Sequence, residues 1–156
     1  MFAAIRRVYE TACGLLKKLA WIGPLAVRLV VGLAFALNGW GKLHNLGAIT
    51  ELFESLGIPA AGAQAAMVST IEFAGGLALI AGFGTRIAAA LLVGVMTVAT
   101  LTAQLPQVDH LWDLANTIEV TYLVIFVWLV VHGAGAVSVD ARLARSRHEV
   151  QLGIAP

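Results

Sequence analysis

Apolar residues fill four stretches of the chain. Each is about twenty residues long, the length that an α-helix needs to cross the hydrocarbon core of a bilayer. The pattern predicts membrane-spanning helices over residues 24–43, 64–83, 86–105 and 114–132. Pro24 suits a first helical turn, whereas Pro106 and Gly133 follow the third and fourth stretches, where helices end. We therefore predict an all-α fold, a membrane four-helix bundle.

The first twenty residues have a different pattern. Their apolar side chains recur at helical spacing and alternate with Arg6, Arg7, Lys17 and Lys18, which predicts a basic amphipathic helix lying in the membrane interface. A frayed cytoplasmic extension is the alternative. A shorter amphipathic helix is predicted over 49–56, in the first loop. The predicted organisation is an interfacial helix (1–20), a four-helix transmembrane domain (21–142) and a basic tail (143–156).

The distribution of basic residues predicts the orientation of the bundle. Lys and Arg occur in the N-terminal segment, at Arg86 and in the tail, but the loops 44–63 and 106–113 contain none. Cytoplasmic loops carry the excess of Lys and Arg in multi-pass proteins. We expect a bacterial-type inner (plasma) membrane protein with both termini in the cytoplasm.

Composition agrees with the membrane assignment and excludes several kinds of site. The chain is 60% hydrophobic and 12% charged, against about 25% charged residues in soluble domains, so the surplus apolar surface must face lipid. The single cysteine, Cys13, allows no intramolecular disulfide or dithiol. There is no Cys/His cluster for a metal or an iron–sulfur centre, and we predict no nucleic-acid partner.

Ionisable residues within the predicted spans are the strongest functional signal. A charge at this depth costs a few kcal/mol unless it is paired or hydrated. Helical side chains lean toward the N-terminus of their own helix. Lys42 therefore leans inward from the first span and Glu72 leans outward from the second, across a backbone offset of roughly 12 Å. We expect the two side chains to pair.

Other polar residues lie at a similar depth. Asn38 lies one turn from Lys42, and Glu119 leans outward from the fourth span. We predict a polar pocket in the outer half of the bundle, with Glu72 as the catalytic group and a cofactor-binding set of Asn38, Lys42, Glu119, His110 and Trp112, the last two as a roof. The alternatives are a charge pair that only locks the helices, a neutral Glu72, and a Lys42 that snorkels to the interface.

The remaining charges predict a second cluster. Arg28 leans toward the cytoplasmic edge, where Arg86 lies and Asp140 is the available acid, so these three residues are predicted to form a structural charge network. A haem is disfavoured, because the two outer histidines, His44 and His110, would meet only if the loops folded over the bundle.

Three blocks of sequence, in this order, resemble the DoxX-like family of membrane proteins. They are RLVVGLAF followed by NGWGKL (28–43), EFAGGLALIAG followed by TRIA (72–88) and GAGAVSVD (133–140). The resemblance covers about 24–142 and implies four transmembrane helices. It also implies an association with membrane redox systems. One branch resembles the small subunit of a thiosulfate:quinone oxidoreductase, and another is linked with superoxide dismutase and a sulfurtransferase in oxidative-stress defence.

The functional expectation is a redox-associated inner-membrane subunit that binds quinone in the outer pocket. Such a subunit would work with a soluble or membrane partner oxidoreductase, and a homo-oligomer is a further expectation. Whether the chain is itself catalytic stays open. A non-catalytic scaffold or assembly subunit is the alternative, and a small-solute or proton transporter is a third.

Overall fold

The fold was obtained as a computed structural model, which describes residues 6, 10, 13–14, 16–108 and 110–151. Within these residues the chain is helical and contains no strand. The helices are α1 (Ile22–Leu43), α2 (Leu46–Ser55), α3 (Ala61–Ala81), α4 (Thr85–Ala99), α5 (Leu111–Ala115), α6 (Ile118–His132) and α7 (Val139–Gln151). A π-helical turn, Thr100–Gln104, and a 3₁₀ turn, Leu105–Gln107, continue α4.

The prediction of an all-α membrane bundle is confirmed. Among the described residues, three helical segments are long and apolar enough to cross a membrane, namely Leu16–Leu43, Ala61–Ala81 and Thr85–Gln104. The fourth apolar helix, α6, has 15 residues, so it is shorter than the predicted 114–132. Extended backbone at Thr117 (φ −78°, ψ 144°) separates α6 from α5 and divides the predicted segment.

The shorter predicted elements had mixed outcomes. The helix expected over 49–56 is present as α2. The interfacial helix expected over 1–20 lies largely outside the described residues, which do include an exposed ion pair between Arg6 and Glu10 at 2.8 Å. The helix α7 was not predicted, since the sequence indicated only a basic tail there.

The connections divide the bundle into two ends. α2 connects α1 to α3 at one end, the α2 end, and the turn at 82–84 connects α3 to α4 at the other, the α7 end. α1 and α3 are therefore antiparallel, and so are α3 and α4. α1 packs mainly on α3, and α4 packs on α6. Val31, Phe35, Leu79, Leu92 and Phe126 are central members of the apolar core.

The contact between α1 and α3 depends on two glycines. A Cβ on Gly76 would overlap the backbone of α1 at Ala36 and lie 2.6 Å from the carbonyl oxygen of Gly32. A Cβ on Gly39 would overlap the backbone of α3 at Phe73 and lie 2.9 Å from the carbonyl carbon of Glu72. Hydrogen at these positions allows the two backbones to touch, which brings Glu72 close to α1.

Arg28 joins α1 to the α7 end through backbone carbonyls. The residue is 1% exposed. Its guanidinium donates hydrogen bonds to Leu79 O at 2.9 Å, Ile80 O at 3.2 Å, Val137 O at 3.0 Å and Ala134 O. The first two carbonyls belong to the last turn of α3, where helices leave oxygens without an internal partner. One side chain therefore caps α3 and fixes the segment that precedes α7.

Among Arg28, Arg86 and Asp140 the structure shows no direct ion pair, although the charges of Arg28 and Asp140 interact, as the predicted structural charge network expects. The carboxylate of Asp140 accepts hydrogen bonds from the backbone N–H groups of Gly84 at 2.7 Å and Thr85 at 3.0 Å. Arg86 donates to Val131 O at 3.3 Å. The three residues do meet around one turn, but helix ends and loops present enough free backbone groups to satisfy each of them.

We predict that Gly76→Ala lowers stability. The added methyl must push α1 away from α3, and overpacking of this kind costs about 1–3 kcal/mol. Gly41→Ala is the matched control, because a Cβ at Gly41 meets nothing within 4 Å and alanine favours a helix over glycine. Thermal unfolding in detergent measures both variants. Equal melting temperatures for the two would contradict the proposed close contact.

Arg28→Lys should be strongly destabilising although it keeps the charge. An ammonium cannot reproduce the planar fork of a guanidinium, and each buried carbonyl left without a donor costs about 1–3 kcal/mol. We expect a loss of about 3 kcal/mol or more in denaturant titrations. Arg86→Lys, at an exposed site with one long hydrogen bond, should change stability by only about 0.5 kcal/mol. A similar effect of both substitutions would argue against the capping role.

Candidate functional site

A partly buried ion pair connects α1 to α3. Nζ of Lys42 lies 2.6 Å from Oε1 of Glu72. The Glu72 side chain is 2% exposed, whereas that of Lys42 is 34% exposed. The pairing expected from the side-chain directions is thus present, and the hydrogen at Gly39 permits it by letting the helices touch beside Glu72.

The two oxygens of the Glu72 carboxylate differ in their hydrogen bonding. Oε2 is buried and has no hydrogen-bond partner among the described residues. Buried polar atoms are nearly always bonded to protein or water, and an exception calls for an explanation. Lys42 balances the charge of Glu72, and Oε2 remains an acceptor that no described residue satisfies.

Glu72 lines a large cavity at the α2 end. Its volume is about 560 Å³. α1, α3, α4 with its π-helical turn, and α6 contribute to the wall, and α2 covers it. The polar or charged residues that line it are Asn38, Lys42, Gln64, Glu72, Thr102, Glu119 and Tyr122. The rest of the lining is apolar, so the cavity combines an apolar wall with a few polar groups, as small-molecule sites do.

A second polar pair lies in the same wall. Gln104 donates a hydrogen bond from Nε2 to Oε1 of Glu119 at 3.0 Å, and Glu119 lines the cavity. Sequence reasoning found Glu119 but missed Gln104. The signal was a long polar side chain at the end of an apolar span, two residues before Pro106.

The π-helical turn explains the position of Gln104. The N–H of Leu105 bonds to Thr100 O, five residues earlier, and Pro106 has no N–H to continue the α-helical pattern. The hydroxyls of Thr100 and Thr102 donate to carbonyls four residues earlier, at 2.7 and 2.8 Å. A widened turn of this kind rotates the residues that follow it, and such turns are frequent at functional sites.

Aromatic rings line one side of the cavity. Phe35 meets Tyr122 edge to face, with centroids 5.0 Å apart, and Phe126 with centroids 4.9 Å apart. Phe35 and Tyr122 both line the cavity. Tyr122 was also missed from the sequence, although it lies three residues after Glu119 and therefore on the same helical face.

Residues other than the predicted ones cover the cavity. His110 and Trp112 do not line the cavity, and Trp112 is 78% exposed. Leu52, Phe53 and Leu56 cover the cavity instead, because the apolar face of α2 turns toward α3. Of the predicted set, the structure brings together Asn38, Lys42, Glu72 and Glu119.

Comparisons with known proteins agree with this architecture. The family model described as DoxX matches residues 23–105. The chain is 32% identical to "Inner membrane protein YqjF" of Escherichia coli (strain K12) over 131 residues, which is 82% of this chain and 97% of the relative.

Two further relatives are more distant. "Putative oxidoreductase CatD" of Bacillus subtilis (strain 168) is 29% identical, over 67% of this chain and 72% of the relative. "Uncharacterized membrane protein Rv3486" of Mycobacterium tuberculosis (strain ATCC 25618 / H37Rv) is 31% identical, over 78% and 81%. No solved structure matches the chain. The family match covers more than half of the sequence and the first relative almost its whole length, so this chain is a member of the DoxX family.

Proposed function

We propose that the protein is a redox-associated subunit of the inner membrane that binds a quinone in the cavity at the α2 end. The observation that carries the proposal is the buried Glu72 carboxylate in the wall of an apolar cavity, paired through one oxygen and free at the other. A relative named as a putative oxidoreductase supports a redox role. The positive-inside pattern would place this end at the outer face of the membrane.

The size and the lining of the cavity support a quinone as its ligand. Its volume of about 560 Å³ falls within the roughly 300–1,000 Å³ of small-molecule sites. A quinone ring has apolar faces and polar edges, and the wall offers apolar side chains together with donors and acceptors. The Lys42 ammonium and the Asn38 amide are the donors, and Oε2 of Glu72 is the free acceptor.

Each polar residue has a role in this proposal. A bound quinone supplies reversible uptake of two electrons and two protons. Glu72 accepts a proton at Oε2 from a ligand hydroxyl or returns it, and Lys42 balances the charge of the carboxylate. Glu119, held by Gln104 at 3.0 Å, is a second proton acceptor. The chain has one cysteine and therefore no dithiol of its own, so a partner oxidoreductase supplies the electrons.

A second candidate function is a non-catalytic scaffold or assembly subunit. The ion pair of 2.6 Å between Lys42 and Glu72 favours it, because a buried pair between two helices fixes their register without any ligand. In this case the cavity is a consequence of the packing and the partner protein binds elsewhere.

Glu72→Gln tests the quinone proposal. The amide keeps the size of the side chain but cannot exchange the proton, and it loses the ionic hydrogen bond. We expect the variant to fold and to bind the quinol form of a short-chain ubiquinone analogue, whose hydroxyl donates a hydrogen bond to the carboxylate, at least about tenfold more weakly in detergent, which is about 1.4 kcal/mol. Glu54→Gln, on the exposed side of α2, is the control and should bind normally. If the folded Glu72→Gln protein binds the analogue with unchanged affinity, the proposal is wrong.

A double-mutant cycle distinguishes the two functions. Glu72→Leu leaves Lys42 without its partner and should reduce stability, whereas the double variant with Lys42→Met should regain much of the loss, with a coupling of about 1–3 kcal/mol. Thermal unfolding of the four proteins measures the coupling. Additive losses would show that the pair does not act as a unit.

The same double variant then separates scaffold from quinone site. A folded double variant that still supports quinone-linked turnover in membranes favours the scaffold. If instead it loses turnover while keeping its fold, the charges have a chemical role.

A further inference from the structure

A second cavity lies at the α7 end, on the side of α1 and α3. Its volume is about 390 Å³. The walls are mostly apolar, and Arg28, Ser138, Arg142 and Arg145 are the polar residues that line it. Leu25 is in the first turn of α1 and Ala81 is the last residue of α3, so the cavity lies at the level where the spans leave the bilayer.

Two arginines of α7 form the charged side of this cavity. Arg142 and Arg145 are three residues apart, so they project from one face of the helix. Both are exposed, and within the described part of the chain neither side chain has a hydrogen bond or ion pair. Two guanidinium groups that line one cavity without an anion present strong donors for a phosphate.

The charges nearby leave this pair uncompensated. Arg28 uses its N–H groups on four backbone carbonyls, and its charge interacts with that of Asp140. The carboxylate of Asp140 accepts hydrogen bonds from Gly84 and Thr85, and Asp140 does not line the cavity. An anion in the cavity therefore meets uncompensated positive charge at Arg142 and Arg145.

The apolar residues select an amphiphilic ligand over a free anion. Leu25, Ile80 and Val139 line the cavity directly beside the arginines. Ile80 lies one residue before the end of α3 and Val139 begins α7, so the cavity places apolar side chains and arginines together at the membrane boundary. A lipid presents this same order of groups, since its phosphate lies at the interface and its acyl chain enters the hydrocarbon core.

We propose that this cavity binds an anionic phospholipid, with its phosphate on Arg142 and Arg145 and the start of an acyl chain against Leu25, Ile80 and Val139. The site is separate from the cavity at the α2 end and does not depend on the function proposed for it. Bound lipid would join α7 to α1 and α3 at the membrane surface.

Native mass spectrometry of the purified full chain, titrated with dioleoyl phosphatidylglycerol, tests the proposal. Each of Arg142→Gln and Arg145→Gln should weaken binding about fivefold, the usual contribution of one basic residue near an anionic surface. Arg147→Gln is the matched control, because it removes the same charge from α7 at a position outside the cavity. Dioleoyl phosphatidylcholine should bind all four proteins weakly and equally.

Three outcomes would overturn the site. If Arg147→Gln weakens lipid binding equally, the lipid is attracted to the whole helix and not to this cavity. If the Arg142 and Arg145 variants bind lipid as the parent does, these arginines do not hold the phosphate. If millimolar inorganic phosphate displaces the lipid, the ligand of the site is a free anion. Melting temperatures within a few degrees of the parent keep the comparison valid. The acyl-chain contact also predicts that Leu25→Ala weakens lipid binding. If this variant binds the lipid as tightly as the parent protein, that contact is contradicted.

Discussion

The close contact of α1 and α3 is the constraint on which the rest of the structure depends. Two glycines, Gly39 and Gly76, remove the side chains that would keep the backbones apart. Only then can a carboxylate in the middle of one helix reach an ammonium near the end of the other. Because Glu72 is 2% exposed, its charge is tolerable only with that partner, and the packing of small residues and the burial of charge stabilise one another.

Arg28 and Glu72, the buried charges among the described residues, are satisfied in different ways. Glu72 meets an opposite charge through one oxygen, whereas Arg28 donates hydrogen bonds to four backbone carbonyls. The guanidinium thereby closes the α7 end, where α3 ends and the chain turns toward α7. The α2 end lacks such a clamp, and the helices separate there around a cavity. The same small bundle thus has one end that Arg28 holds together, with a smaller cavity on its side, and another end where the helices separate around a larger cavity.

Features that depend on local geometry could be predicted from the sequence. Hydropathy predicted the first three spans, because the length of a helix in the bilayer is fixed by its rise per residue. The direction of helical side chains predicted the pairing of Lys42 with Glu72, because these side chains point toward the N-terminus of their own helix. The features that were missed depend on departures from a regular helix. The π-helical turn orients Gln104 so that it donates a hydrogen bond to Glu119. Extended backbone at Thr117 shortens the fourth span. The roof was wrongly assigned to His110 and Trp112, since loop proximity cannot be read from depth alone.

The ion pair of Lys42 and Glu72 also determines what kind of molecule the neighbouring cavity can admit. A cation and an anion 2.6 Å apart have no net charge, so they present a dipole to the space beside them. An anion entering the cavity would have to give up its hydration without meeting a net positive charge, because Lys42 is paired and the Glu119 carboxylate lies in the same wall; such desolvation costs several kcal/mol or more. An uncharged guest pays no such penalty and can still align its own polar bonds with the dipole. The neutral pair and the Glu119 carboxylate therefore disfavour anions in this cavity, whereas an uncharged lipid-soluble compound meets no such electrostatic penalty.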